Sequence, residues 1–476
     1  MKIDKRHLQY LKEIAGPKAF VEDAETLAPF LRESRDKYFG SSPLLLQPDS
    51  TEKISEIMAY CHEHEIQVVP QGGNSGLVGG GIPDQSGNMI LLSLSRMNKI
   101  RHCDAANQSI TVEAGTILAH VQEKAKEMDC LFPLSLASEG SCQIGGNIST
   151  NAGGVNVLHY GSMRQLVLGL EVVLANGVIW NGLSGLRKDN TGYDLKQLFI
   201  GAEGSLGIVT AATLKLSPYP HQKQTAFVAV ADPAAAVRLL ELGRKVSGDC
   251  LTAFEIMPRF GLDMVIRHLP GARDPLNAPY EWYVLVECST SLEKDYLDLD
   301  RLLEKILETG FEKELVFDGV VAKNEREAQD LWTLRESLSE MQKLEGGSIK
   351  HDVSLPLSAI DDFLKDANEA VERAIPGARP VPFGHIGDGN IHYNISQPVD
   401  MDKQEFLDHW SDLNRIIHDI VHMFQGSFSA EHGIGRMKIQ DMIRYKTAGE
   451  LEMMRQVKQS LDPKNILNPG VILDSE

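Results

Sequence analysis

Three glycine clusters, at 72–81, 140–154 and 201–207, crowd the first 210 residues of this 476-residue chain, and glycine thins out sharply afterwards. Runs such as "PQGGNSGLVGGG" and "GSCQIGGNISTNAGG" cannot sit inside long helices or strands, so this half must be built from short elements joined by elaborate loops. Glycine lets backbone N–H groups approach an anion closely, and successive N–H groups make an anion-binding nest. One such loop is usually only a turn. Three of them, interleaved with Asn74, Ser75, Ser141, Asn147, Thr150 and Asn151, point to a long polar ligand gripped from several sides. No G-x-G-x-x-G follows the first strand, no G-x-x-x-x-G-K-[ST] occurs, and no G-x-S-x-G elbow is present, which excludes the commonest nucleotide and hydrolase motifs. "HEHE" at 62–65 lacks the second histidine of a zinc-protease helix and reads as a solvated helix end.

Around these loops the pattern is mixed. Helical spacing of Ile54, Ile57, Met58 and Cys61 predicts a helix from about Asp49, with Asp49 and Glu52 as a capping box. Strands are expected at 66–69, 89–94 and 109–113, a helix at about 116–128, and a hairpin over 167–180 turning at Asn176-Gly177. Beyond "SPYPHQ" (217–222) the texture changes to longer elements, such as helices over 233–246 and 292–309. We therefore expect an α+β chain with three stretches: 1–217, a second domain at 218–430, and a C-terminal segment, 431–476, whose "LDPKNILNPG" packs back as a loop. A chain this long exceeds what one core usually organises.

A formal charge of −19, from 47 basic and 66 acidic residues, argues against nucleic-acid binding. Cys61, Cys103, Cys130, Cys142, Cys250 and Cys288 are scattered without a Cys-x-x-Cys pair and read as buried reduced thiols. No apolar run approaches a membrane span, and the mixed N-terminus lacks the apolar core of a signal peptide, so the expected location is cytoplasmic.

At the glycine clusters the sequence resembles the FAD-binding domain of the vanillyl-alcohol oxidase / p-cresol methylhydroxylase flavoproteins. "VVPQGGNSG" looks like their pyrophosphate loop. "PLSLASEGSCQIGGNISTNAGG" and "RKDNTGYDLKQLFIGAEGSLGIVTAATLKLSP" are similar to their other FAD-contacting segments. The resemblance implies a PCMH-type FAD domain of two α+β subdomains, followed by an α+β substrate (cap) domain with an antiparallel sheet. It also implies Pro70, Gly72, Gly73, Asn74 and Ser75 at the pyrophosphate, with Ser138, Gly140, Ser141, Gly145, Asn147, Thr150, Asn151, Gly153, Gly204 and Ile208 lining the cofactor. Covalently flavinylated members carry a histidine in the first loop. Here Asn74-Ser75 stands instead, which implies noncovalent FAD.

In the second half, "FGHIGDGNIHYNIS" (383–396) sets His385 and His392 on either side of Asp388-Gly389. If that pair is a two-residue turn, His385 lies directly opposite His392, with Asn394 on the face of His392. Paired histidines of this kind more often hydrogen-bond than ligate, and a divalent ion would need a further ligand and an open position. "SAEHGIG" (429–435) offers Glu431, with His432 beside it. Arg335 in "LWTLRESLSE" and Lys350 in "GGSIKHDVSLP" are cations suited to carboxylates.

These motifs resemble the metal-dependent D-2-hydroxyacid dehydrogenase branch of the same flavoproteins, whose "GHxGDGNxHxN" and "SxEHGxG" patterns are both complete. The resemblance implies His385, His392 and Glu431 as ligands of a divalent metal, with zinc the expected ion and manganese the alternative. It implies His432 as general base facing the substrate beside Asn394, and Arg335, Ser339 and Lys350 on the substrate carboxylates, as in D-2-hydroxyglutarate dehydrogenases. His351 replaces a tyrosine frequent in that subgroup, which leaves the length of the distal substrate chain open. The expected reaction is oxidation of a D-2-hydroxyacid, preferably a dicarboxylate such as D-2-hydroxyglutarate or D-malate. D-lactate or glycolate is the alternative, and a catalytically idle FAD subunit a third reading. The expected electron acceptor is an electron-transfer flavoprotein, cytochrome or quinone, and a homodimer is expected.

Overall fold

The computed structural model describes residues 3–474. The chain divides into two units: the first takes residues up to 153, 161–219 and those from 431 onward, and the second takes 154–160 and 220–430.

Besides a two-stranded sheet, Ser217–Pro218 against Cys130–Leu131, the first unit contains two larger sheets. In one, strands run in the order Phe20–Val21, Leu45–Leu46, Met89–Ser93, Gln67–Gln71, and the last three are mutually parallel. The helix Thr51–Glu63 buries Ile54, Ile57, Met58 and Cys61 on one stripe, as its spacing predicts. Its cap differs from the sequence expectation: the Ser50 hydroxyl, one residue beyond Asp49, accepts from Lys53 N. The other sheet is antiparallel, in the order Ile100–Asp104, Ser109–Glu113, Ile208–Lys215, Val167–Val173, Ile179–Gly182. Its edge is the expected hairpin, closed by a three-residue loop, 175–177, between Leu174 and Val178, with Gly177 in the left-handed region at φ 84°.

The C-terminal stretch completes this unit. After the helix Ala448–Leu461, Leu467 adds a parallel bridge beside Val68, and Asn468 N donates to the Val68 carbonyl. Asp462 holds the loop closed by accepting from Ile466 N and Leu467 N.

The second unit is a four-stranded antiparallel sheet, Leu251–Pro258, Trp282–Thr290, Gln222–Val230, Val316–Val321, and a three-stranded one, Ser348–Ser354, Asn390–Ser396, Arg379–Phe383. A bridge between Ile256 and Gly384 links them, with N–H···O bonds of 2.9 and 3.1 Å. Helix Pro233–Ser247 starts on an Asp232 cap with proline at its first position. Helix Ile360–Ala374 buries Ile360, Phe363, Leu364, Ala367 and Val371, a single apolar stripe that joins the unit's largest core. Each such side chain contributes roughly 1.5–3 kcal/mol of burial, alanine excepted. The helix expected from 292 begins only at Leu299, because Asp298 caps it by accepting from Arg301 N. Four cysteines are buried and two, Cys103 and Cys250, only half-buried; all six are free thiols.

Candidate active site

In the first unit the three glycine clusters converge. A Cβ on Gly73 would collide with the Ser141 carbonyl, so the first loop lies directly on the second. A Cβ on Gly204 would strike the Pro70 ring, which brings in the third. Gly145 closes against Ala114, where an added Cβ would lie 2.7 Å from its neighbour. Gly76, Gly140 and Gly146 are different. An added Cβ there meets nothing within 4 Å, and none of the three has a positive φ. Neither a close neighbour nor a positive φ accounts for glycine at these three positions.

The asparagines in these loops serve the chain itself. Asn74, at φ 53°, donates from its side chain to the carbonyls of Pro29 and Arg32. Asn151, at φ 49°, accepts from Ser162 Oγ (3.0 Å) and Arg164 N (2.9 Å). Thr150 Oγ1 returns to the Gly146 carbonyl, and buried Asn147 reaches Cys142 Sγ at 3.5 Å. Ser138 supplies its carbonyl to Ser141 N and Cys142 N, Ser75 is half-buried in the first loop, Gly153 is buried, and Ile208 opens a strand opposite Val173.

One acid stands among these glycines. Glu203 is buried, and its carboxylate accepts from Ile434 N (2.7 Å) and Gly435 N (2.8 Å). Burial pushes its pKa up to about 7, against the opposing pull of those N–H groups and of Lys438.

The second unit assembles charged side chains. The "GHIGDGN" register departs from the two-residue turn: Phe383, not His385, lies opposite His392. Residues 384–389 form a longer loop in which Asp388 N and Asn390 N both donate to the His385 carbonyl. The cause is remote in sequence, since Gly384 is drawn into its bridge with Ile256. His385 folds back from the loop all the same, and its ring sits 5.4 Å from that of His392.

His392 lies opposite Asp352 on the neighbouring strand, with Nδ1 3.7 Å from the carboxylate. Asp352 is buried and accepts from Asn390 Nδ2. The strand partner of Asp352's carbonyl is Ala430 N, and the next two residues are Glu431 and His432. His385 and His392 thus stand together within this unit, with the Asp352 carboxylate beside His392. Two imidazoles and a carboxylate suit a borderline divalent ion.

Lys350 is the cross-strand neighbour of Asn394 and donates to Ser339 Oγ at 2.8 Å. Asn394 in turn donates to Gln342 Oε1. Arg335 ends the helix Glu325–Glu336, buried, with its guanidinium 4.9 Å above the Phe383 ring. Its Nε and Nη2 both donate to Glu255 Oε2, at 2.8 and 2.7 Å. His351 faces the opposite side of its strand from Lys350, buried with Nδ1 at the Tyr393 carbonyl and its ring edge-on to His418. It does not line up with the lysine.

Glu255 escapes sequence reasoning, although a lone acid in the apolar strand "LTAFEIMP" is a signal. It is fully buried, and besides Arg335 it faces His385 Nδ1 at 2.7 Å. Burial would raise its pKa, but His385 and Arg335 hold it down at about 2.

Comparison with known proteins agrees with this layout. Residues 42–182 match the model of an FAD binding domain, and residues 219–472 that of the C-terminal domain of FAD linked oxidases. The chain is 39% identical over 473 residues to the mitochondrial D-2-hydroxyglutarate dehydrogenase of Arabidopsis thaliana, covering 99% of this chain and 82% of that one. It is 36% identical over 489 residues to a putative mitochondrial D-lactate dehydrogenase of Schizosaccharomyces pombe, covering 98% and 90%. Its fold matches that of p-cresol methylhydroxylase with a TM-score of 0.77 at 17% identity, over 98% of this chain and 96% of that one. The relatives overturn the cytoplasmic expectation: both are named as mitochondrial enzymes. No helix among the described residues is long and apolar enough to cross a membrane. The fold, both halves of the sequence and the relatives agree: this chain belongs to the FAD-dependent D-2-hydroxyacid dehydrogenases of the vanillyl-alcohol oxidase / p-cresol methylhydroxylase superfamily.

Proposed function

We propose that this dehydrogenase acts on a D-2-hydroxydicarboxylate, D-2-hydroxyglutarate or D-malate, with a divalent metal at His385, His392 and Glu431. The observation that carries the reading is the pairing of the His385 and His392 rings, 5.4 Å apart, with Ala430, the residue before Glu431, hydrogen-bonded to Asp352 on the strand beside them. A zinc or manganese ion held by these residues would supply Lewis acidity toward the 2-hydroxyl, and noncovalent FAD held by the glycine-rich loops would supply the hydride acceptor. The chain's own residues hold and deprotonate the substrate. His432 removes the hydroxyl proton as a neutral imidazole. Lys350, steadied by Ser339 and beside Asn394, offers a point charge to the distal carboxylate, and Arg335 contributes the guanidinium edge that Glu255 does not take. In the first unit, Pro70, Gly72, Gly73, Asn74 and Ser75 with the glycine-rich loops at 138–153 and 204–208 cradle FAD chiefly through backbone, which the open faces of Gly76, Gly140 and Gly146 support.

Anaerobic flavin reduction against D- and L-2-hydroxyacids, with and without chelator, tests this. D-dicarboxylates should bleach the flavin fastest, and chelator should stop them. D-lactate reduction at equal efficiency would replace the dicarboxylate reading with the lactate one, which the S. pombe relative makes the natural second choice.

A further inference from the structure

We propose that Glu255 is a positioning residue that orients His385 as a metal ligand and holds Arg335 ready for the substrate; the metal half of this rests on the ligand set proposed above. Glu255 lies in the strand Leu251–Pro258, all of whose residues are buried, where an unpaired carboxylate would be costly. Its two oxygens divide the work. Oε1 meets His385 Nδ1 at 2.7 Å, and Oε2 takes both Nε and Nη2 of Arg335.

The consequence for His385 is a fixed tautomer. An ionised carboxylate can only accept, so Nδ1 carries the proton and Nε2 bears the lone pair, the atom through which this ring would ligate a cation. The consequence for Arg335 is a fixed orientation. The planar guanidinium is clamped along one edge by Glu255 and lies over the Phe383 ring, so the remaining Nη1 edge is aimed without a search through rotamers. Phe383 is itself the cross-strand neighbour of His392, with ring centroids 5.3 Å apart. One carboxylate therefore ties a metal ligand and a substrate cation into a single rigid arrangement, and the bridge of its neighbour Ile256 to Gly384 sets the distance between them.

The test uses the full FAD-loaded chain and three variants: Glu255→Gln, Glu255→Asp and His392→Ala. Zinc and manganese dissociation constants are measured by competition with a chelator, alongside flavin content and the KM for D-2-hydroxyglutarate. Glu255→Gln should keep its flavin yet bind the ion about 10–100-fold more weakly, the range typical for loss of a group behind a ligand histidine. Its KM should rise in parallel, and Glu255→Asp, which keeps the charge, should recover part of both. Ion affinity in Glu255→Gln within twofold of wild type, with flavin retained, overturns the proposal while leaving the metal reading intact. If wild type and His392→Ala hold the ion equally poorly, the metal reading itself fails and the tautomer argument with it. Should Glu255→Gln not fold, the comparison passes to Glu255→Asp. Unchanged ion affinity and KM there, despite a carboxylate one methylene shorter, likewise overturn the role.

Discussion

On the proposed reading, the two units hold their ligands by opposite means. The first builds its cradle from main chain: glycines press loop against loop at Gly73 and Gly204 and leave bare backbone at Gly76, Gly140 and Gly146. The second builds from ionisable side chains buried or half-buried around a sheet, each braced by another: Glu255 by Arg335 and His385, Asp352 by Asn390, Lys350 by Ser339. A backbone cradle should be damaged by adding atoms, and a side-chain site by removing them.

The largest effect expected from that contrast is in the second unit. His392→Ala should cut the rate of flavin reduction on the order of 10³-fold, several kcal/mol of transition-state stabilisation, while flavin content stays at wild-type level. Loss of flavin in that variant would break the comparison. Glu203 probes the contrast from the other side, as a buried acid in the backbone-built unit. Its pKa in the folded chain is raised to about 7 from the usual 4.5. Its contribution to stability is therefore fully present below about pH 4.5 and lost as pH rises through 7. Relative to Glu203→Gln, wild type should lose up to about 3 kcal/mol across that window, read from urea unfolding at a series of pH values.

Lys350→Ala sharpens the substrate side. It should raise the KM for D-2-hydroxyglutarate ~10–100-fold, the cost of one charge-assisted bond, and leave D-lactate nearly unchanged. Equal effects on both acids would remove the dicarboxylate argument. The smallest effects distinguish two kinds of glycine. Gly73→Ala should destabilise the chain by about 1–3 kcal/mol through its clash with the Ser141 carbonyl. Gly140→Ala should leave the melting temperature of the flavin-free protein unchanged and weaken FAD alone, measured by fluorescence titration.

Much of this was legible in sequence wherever the determinant is local. Glycine spacing marked the three converging loops because a turn is encoded by the residues that make it, and periodicity placed the helices at 51–63 and 233–247. Local reading failed where distant chain intervenes. The register of the histidine loop depends on Gly384 pairing with Ile256, some 130 residues earlier, which no turn rule contains. Asn74 and Asn151 are polar residues in ligand loops, yet their side chains brace positive-φ backbone. Glu255 went unseen because a buried acid is meaningful only once its partners are known.

The return of the C-terminal stretch to the first unit has a consequence for biosynthesis. Asn468 donates to the carbonyls of Gly80 and Glu203, and Glu203 waits on the N–H groups of Ile434 and Gly435. Some 210 residues of the second unit are translated between the first unit's early stretches and these partners. At ribosomal speeds of about 5–20 residues per second, the nascent cradle waits roughly 10–40 s with a buried carboxylate unsatisfied and a sheet edge at Val68 unpaired. The second unit, almost continuous in sequence, can fold on the ribosome during that interval. The cofactor unit closes last, so flavin loading belongs to the finished chain.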